Sequence, residues 1–333
     1  MSRPLPAVLV LALIIIVAGC GDIAAGALGG AQGSQGQQRK VGNAAVARPT
    51  PRPTPTPAPT PPPLRLEDLL GSDGRLTVLI LGSDSRAGVL GTRTDVIIAA
   101  TINPRSGRVA MVSLPRDTIN VPIAPGDAYS GRINGLYGEL ERQAGKPRRA
   151  LKQLKQALAY AFGTEIDYYA LVGFDGLTRL VNSIGGVDVT LDAPLIDPTM
   201  HLGRKGLKLK AGKRHLDGRT ALAFSRSRHS DSDYARSGRQ HQVLTAAADK
   251  VRRRGADRLG ALVDVARKKI ITDLPFEAAP LLLELMARAN LDKVKSVVLE
   301  PGRYARTSPG YTITPRVLEI QRLFDRLFKP VGH

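Results

Sequence analysis

A single cysteine, no tryptophan and an aromatic share of only 4% set the first limits on what this 333-residue chain does. Cys20 has no second thiol to pair with, so an intrachain disulfide and a thiolate zinc site are both excluded. So few rings do not make the stacking platform that single-stranded nucleic acid requires, and no nucleic-acid partner is expected. The histidines (His201, His215, His229, His241 and His333) fall at no metal-binding spacing. A Gly-rich P-loop, HExxH, GxSxG and CxxC are missing as well, so covalent catalysis by serine or cysteine has no support. Acidic residues are scarce beside basic ones, 29 against 48, and the formal charge is +19.

The ends differ from the middle. Arg3, an apolar run from Ala7 to Val17, and Val17-Ala18-Gly19-Cys20 read as an export signal with a lipoprotein-like cleavage site, Cys20 being the residue to be lipidated. An uncleaved transmembrane anchor is the alternative, although the run is short for the ~20 residues a span needs. Either way the bulk of the chain is expected outside the cytoplasm, tethered to the outer face of the membrane. Residues 21–63 are rich first in Gly, Ala and Gln and then in Pro and Thr, and read as a disordered stalk. Its last part, Pro49–Pro63, favours polyproline II and spans roughly 45 Å at ~3.1 Å per residue. Residues 64–333 are long enough for one large domain. Residues 1–63 hold five Lys/Arg and one Asp, which leaves this domain 43 basic and 28 acidic groups and a charge of +15, a field that attracts polyanions.

What is present in quantity is arginine beside aspartate, at four points. They are Asp84 and Arg86 in LGSDSR, Arg93 and Asp95 in GTRTD, Arg116 and Asp117 in LPRD, and the block Ser225–Gln240. That block holds Arg226, Arg228, Asp231, Asp233, Arg236, Arg239 and Gln240. Guanidiniums grip phosphate oxygens bidentately, and a pair of carboxylates suits magnesium, which leaves its other positions to water and substrate oxygens. Read singly, each charge is an ordinary solvated surface group, Asp84 a turn residue and Asp95 a strand-entry cap. Convergence is what would make them a pyrophosphate site.

Local patterning predicts that convergence. Leu76–Leu81, Val96–Ile102 and Arg108–Leu114 read as strands, the last two joined by the hairpin signal Asn103-Pro104-Arg105-Ser106-Gly107. Pairing Ile102 with Arg108 places Asp95 opposite Pro115, next to Arg116, and an antiparallel Leu76–Leu81 strand brings Asp84 to the same edge. Further expectations are a helix over Arg148–Phe162, a strand over Ile166–Val172 and a helix over Asp175–Ile184 capped by Asp175. A strand over Val187–Leu191 and a helix capped by Asp217 come next. Ser232–Arg254 reads as a long helix with Asp233, Arg236 and Gln240 on one face. Helices near Gly255–Ile270, Phe276–Ala289 and Pro315–Phe328 and a strand over Val294–Leu299 complete an α/β fold. Its expected form is a mixed central sheet flanked by helices, an α-β-α sandwich.

Taken in order, VLILGSDSR, GTRTDVII, NPRSGRVAMVSLPRDT, GRINGLYGEL, IDYYALVGFDGLTRLVNSIGGVDV, LKLKAGKRHLDGRTALAFSRSR and DSDYARSGRQHQVL resemble the LytR-CpsA-Psr family of bacterial cell-envelope proteins. The resemblance covers most of Leu76–Arg254. It implies a phosphotransferase that moves a glycopolymer from a polyprenyl-pyrophosphate carrier to a peptidoglycan sugar hydroxyl, with magnesium assisting. By motif position, Asp84 and Asp95 would hold the metal. Arg93, Arg116, Arg132, Arg226, Arg228, Arg236 and Gln240 would hold the pyrophosphate. Arg116 and Arg228 would act on the transferring phosphoryl group, and Asp233 would serve as base to the attacking hydroxyl. Two departures stand out. Arg132 occupies a position in GRIN where the family often has Lys, and a lipoprotein-like signal stands where the family usually has a transmembrane helix. Two other readings stay open: a hydrolase of the same lipid-linked pyrophosphate, and a tethered, non-catalytic binder of wall polyanions.

Overall fold

Alternating apolar strands and amphipathic helices settle into the layered arrangement their patterning calls for. In the computed structural model, residues 63–84, 93–200, 202, 206–227 and 233–328 are described. The strands are β1 (Leu76–Ser83), β2 (Thr94–Ile102), β3 (Val109–Ser113), β4 (Val121–Ala124), β5 (Asp127–Tyr129), β6 (Tyr168–Val172), β7 (Val187–Leu191), β8 (Leu195–Asp197), β9 (Leu207–Leu209), β10 (Gly212–Leu216), β11 (Ile270–Thr272), β12 (Lys295–Val298), β13 (Ala305–Ser308) and β14 (Thr312–Pro315). The helices are α1 (Leu136–Ala144), α2 (Pro147–Phe162), α3 (Phe174–Ser183), α4 (Gly218–Arg226), α5 (Asp233–Lys269), α6 (Ala279–Arg288) and α7 (Val317–Phe328). No helix among the described residues is long and apolar enough to cross a membrane.

Six strands form the central sheet in the order β11-β6-β1-β2-β3-β12. It is mixed: β1 is antiparallel to β2 and parallel to β6, while β3 is antiparallel to β2 and parallel to β12. Alternation along the strands gives the sheet two apolar faces. Leu79, Leu81, Ile97, Ala99, Ala110 and Val112 face a core shared with Leu151, Leu154, Leu158 and Phe162 of α2 and with Leu323 and Phe324 of α7. There Phe162 stacks on Phe324 with ring centroids 4.6 Å apart. Ser113 points to the other face, where it meets His241 of α5 at 2.6 Å, and the second ring nitrogen of His241 meets Ser296 of β12. Burial pushes the His241 imidazole down to about 4, so it stays neutral and locks α5 onto two strands at once.

Three expectations are corrected. Ile102 pairs with Val109 rather than Arg108. The reason lies in the turn: Asn103 and Arg108 close it, Asn103 N donating to Arg108 O at 2.9 Å, while Asn103 Oδ1 accepts from the amides of Arg105 and Ser106. Asp175 does not cap α3. Gly173 is the N-cap, and Asp175 lies inside the first turn, bonded to Arg179 and Lys269. Finally, the helices expected over Ser232–Arg254 and Gly255–Ile270 are one helix of 37 residues. A mid-helix glycine costs only about 1 kcal/mol, and the buried face of Val243, Ala247 and Val251 resumes with Leu262, Val263 and Ala266.

At the sheet end where β1 and β6 begin, the Asp167 carboxylate takes over a ladder bond, accepting from Thr77 N at 2.7 Å. Desolvation, reinforced by the nearby Glu165 and Asp73 carboxylates, raises Asp167 to about 7, against the opposing pull of the Thr77 bond and Lys155. A carboxyl raised in the folded state binds its proton more tightly than the unfolded chain does. Its contribution is therefore complete below about 4 and is lost as pH climbs through about 7. At one unit per about 1.4 kcal/mol, the loss is at most about 4 kcal/mol. Asp167→Asn keeps an acceptor for Thr77 and removes the titration. Its thermal midpoint should exceed that of the parent at pH 7 and match it near pH 4, and parallel curves across that range would contradict the assignment.

Candidate functional site

The carboxyl ends of β1, β3 and β6 and the start of β2 meet at one edge of the sheet, where chemistry on such scaffolds collects. Gly82 is needed there because a Cβ would lie 2.8 Å from Val96 Cγ2. The β1–β2 register slips between Gly82 and Ser83, a bulge that re-aims the chain into Asp84. Asp84 N reaches back to Arg93 O at 3.4 Å.

A cavity of about 410 Å³ opens at this edge. Its walls are apolar, among them Ile80, Leu81, Val172, Leu177, Leu222 and Val243, and its polar lip is made by Asp84, Asp95, Arg116, Arg226, Arg236 and the neutral amide of Gln240. Residues spread over more than 150 positions of sequence thus share one surface. The sheet supplies the first three; α4 ends in Arg226, and the first two turns of α5 supply Arg236 and Gln240. Arg226 lies 4.2 Å above the Phe174 ring at the start of α3, which fixes an otherwise exposed guanidinium. Arg236 is 6% exposed.

Asp95 is held from both sides. Its Oδ2 accepts from Arg116 Nη1 at 3.2 Å and its Oδ1 from Asn134 Nδ2 at 3.0 Å. Arg116 Nε donates to Asp117 Oδ2 at 3.3 Å, and Asp117 Oδ1 accepts from Arg132 Nη1 at 2.6 Å. Arg132 also donates to the Gly310 carbonyl at 2.9 Å. Arg132 therefore braces the lip through Asp117 and is not among the residues lining the cavity, and neither is Arg93, which is exposed. Arg239 and Gln240 clamp the end of α4: Arg239 Nε donates to Phe224 O at 3.0 Å, Arg239 Nη2 to Ser227 O, and Gln240 Nε2 to Ser225 O at 3.3 Å. Arg228, Arg86, Asp231 and Cys20 lie outside the described residues; Asp233 is the first residue of α5, and its side chain is also outside them.

Asn134 and the bracing role of Asp117 are what sequence reading missed. Both sat inside motifs already singled out, GRIN and LPRD, but an amide has no charge to draw the eye. As to a metal, Asp84 Oδ1 is buried and has no hydrogen-bond partner among the described residues, at the lip it shares with Asp95. Two carboxylates, one with an orphaned buried oxygen, fit the donor set magnesium takes.

Apolar walls thus lie directly beneath a lip of arginines, aspartates and one glutamine. The chain belongs to the LytR-CpsA-Psr family, whose family model (LytR_cpsA_psr family) matches residues 49–315. The polyisoprenyl-teichoic acid–peptidoglycan teichoic acid transferase TagU of Halalkalibacterium halodurans is 29% identical over 205 residues, 60% of this chain and 62% of that one. The TagU of Oceanobacillus iheyensis is 30% identical over 220 residues, 65% and 64% of the two chains. The match thus spans somewhat under two thirds of these relatives' length. Among solved structures, B. subtilis TagV aligns with a TM-score of 0.62 at 21% identity, covering 77% of this chain and 97% of that one. A structure of TagT bound to LIIa-WTA aligns at 0.56 and 23% identity, covering 76% and 89%. At these identities the likeness establishes the fold.

Asn134 generates a sharp expectation. Asn134→Ala leaves Asp95 to Arg116 alone, whereas Asn134→Asp sets a second carboxylate against it, and like charges at this range repel. Thermal melts should show a larger fall in Asn134→Asp than in Asn134→Ala, because the first leaves two carboxylates facing each other and the second only loses a hydrogen bond. Equal losses in the two variants would make Asn134 a space-filler.

Proposed function

We propose that this protein is a phosphotransferase that moves a glycopolymer from a polyprenyl-pyrophosphate carrier to a sugar hydroxyl of peptidoglycan and releases polyprenyl phosphate. The observation that carries the reading is the cavity itself, apolar within and lined at its lip by Asp84, Asp95, Arg116, Arg226, Arg236 and Gln240. A soluble phosphate ester would need only the lip, and a wall polyanion would need no apolar interior. The names of the TagU relatives, which pair a polyisoprenyl-linked polymer with peptidoglycan, point the same way.

In this reading the prenyl chain lies along Ile80, Leu177, Leu222 and Val243, and the pyrophosphate at the lip. The acceptor hydroxyl attacks the phosphorus that carries the polymer. A new P–O bond forms to the acceptor, the bridging P–O bond breaks, and its electron pair leaves with polyprenyl phosphate. The hydroxyl proton passes to a base, a role we assign to Asp233. Arg116, Arg226 and Arg236, with Arg228, neutralise charge on the phosphoryl oxygens, and Gln240 orients them. Fixed donors need no reorganisation as charge develops, which is the larger part of what a protein contributes to phosphoryl transfer. Magnesium held by Asp84 and Asp95 would add charge neutralisation across the two phosphates. We also assign the chain to the outer face of the membrane, tethered through a lipidated Cys20 and spaced from it by the proline-rich segment, on the strength of the sequence features given above.

Arg116→Ala should lower turnover roughly 10²–10³-fold. Its melting temperature should stay within a few degrees of the parent, because the ion pair it removes is partly exposed. The assay supplies a short lipid-pyrophosphate glycan, an acceptor glycan and magnesium, and weighs the products. Glycan-linked acceptor marks the transferase, free glycan phosphate would mark a hydrolase, and near-normal turnover by Arg116→Ala would remove the site assignment.

A further inference from the structure

The hairpin β13–β14 closes through Pro309–Tyr311, and its chemistry is out of keeping with its geometry. Gly310 has φ 73 and Tyr311 has φ 56. Hairpin turns fill left-handed positions with Gly or Asn, because a Cβ is strained there. Here a tyrosine occupies one, and its side chain is 99% exposed, so packing within the fold does not explain the choice. Among the described residues the other non-glycine at positive φ is Asn120, at φ 55, and it too is exposed. The two segments pair in parallel, Thr118 bridging Ile313, with Ile119 N donating to Ile313 O at 2.9 Å and Ile313 N to Asp117 O at 3.3 Å, so Tyr311 lies toward Arg116 and Asn120 away from it. Backbone strain at an exposed position that packing does not explain points to function rather than to folding.

That place is wired to the lip of the cavity. The carbonyl of Gly310, next to Tyr311, accepts from Arg132, Arg132 pairs with Asp117, and Asp117 pairs with Arg116. The turn is further stiffened by Thr312 Oγ1, which donates to Pro309 O at 2.8 Å, and by the Ser308–Thr314 hydroxyl pair. A fully exposed aromatic ring on a stiffened turn, joined by hydrogen bonds to the lip, matches the apolar C–H face of a pyranose. Tyrosine offers such contact area at a small entropy cost, since only two side-chain torsions need fixing.

We propose that Tyr311 is the stacking platform of the acceptor subsite, seating a sugar ring of the peptidoglycan glycan chain. The proposal rests on the glycan-transfer reading above and names where its acceptor binds. The hydrogen-bonded path from Gly310 to Arg116 favours the acceptor over a lipid surface, the other environment in which an exposed tyrosine is at home.

The test uses the full chain and two variants. Tyr311→Gly removes the ring and relieves the strained backbone, so its melting temperature should not fall. Tyr311→Phe keeps a ring. Each is titrated calorimetrically with a peptidoglycan tetrasaccharide (alternating N-acetylglucosamine and N-acetylmuramic acid), with geranylgeranyl pyrophosphate plus magnesium, and with anionic phospholipid vesicles. Tyr311→Gly should weaken tetrasaccharide binding about tenfold, Tyr311→Phe by no more than about threefold, and neither should alter prenyl pyrophosphate binding. Undiminished tetrasaccharide binding by Tyr311→Gly, no measurable binding by the parent chain, or a loss confined to vesicles would overturn the proposal. Failure of the parent to bind prenyl pyrophosphate would instead strike the transfer reading, and the tetrasaccharide titration would still decide the role of Tyr311.

Discussion

The ion pair between Asp95 and Arg116 is the contact on which the geometry of the site depends. It joins the first residues of β2 to the segment that follows β3, across the sheet edge where the cavity opens. Its partners are 34% and 21% exposed, so as a source of stability it is worth about 1 kcal/mol or less. Its importance is positional. Asn134 holds the far side of Asp95, Asp117 the far side of Arg116, and Arg132 the far side of Asp117. Charges of alternating sign therefore run along the lip, and each is fixed by the next. A guanidinium oriented before substrate arrives is what electrostatic catalysis of phosphoryl transfer requires.

The second constraint is apposition of unlike environments. Arginines favour water and prenyl chains avoid it, so a site for the proposed lipid-linked pyrophosphate must hold both within one molecular length. Here the sheet edge supplies acidic and basic loops, while the inner flanks of α3, α4 and α5 supply Leu177, Leu222 and Val243 immediately beneath. Helix α5 serves both halves, with Arg236 and Gln240 near its start and Val243 and Leu244 a turn later. His241, neutral and buried between Ser113 and Ser296, fixes the rotation of that helix and hence the aim of its neighbours.

Much of this was legible in the sequence, for reasons that can be named. Long apolar runs ending in Gly or bounded by Asn-Pro and Gly identify β1, β2 and β3, and the hairpin between the last two follows from turn chemistry. Convergence of Asp84, Asp95 and Arg116 then needs only antiparallel pairing. The register was one residue out because Asn103 reads as part of the turn, yet its backbone closes the ladder with Arg108. The slip matters. With Ile102 opposite Val109, continuing the ladder sets Arg116 itself, rather than Pro115, across from Asp95. The short ribbons β4–β5 and β13–β14 carried no readable pattern, since three or four residues with mixed burial offer no period to detect. Asn134 was equally silent: its function is to donate one hydrogen bond to a residue 39 positions away.

The central claim is that one cavity recognises both halves of an amphiphile. Its most direct test is calorimetric comparison of geranylgeranyl pyrophosphate, geranyl pyrophosphate and inorganic pyrophosphate, each with magnesium, on the same protein. The account predicts affinity rising steeply with prenyl length, because each additional buried methylene is worth about 0.8 kcal/mol. It also predicts that substituting Leu177 or Val243 by Asp abolishes the length dependence while inorganic pyrophosphate still binds. Equal affinity for all three ligands would show that the apolar cavity takes no part in recognition and would contradict the account.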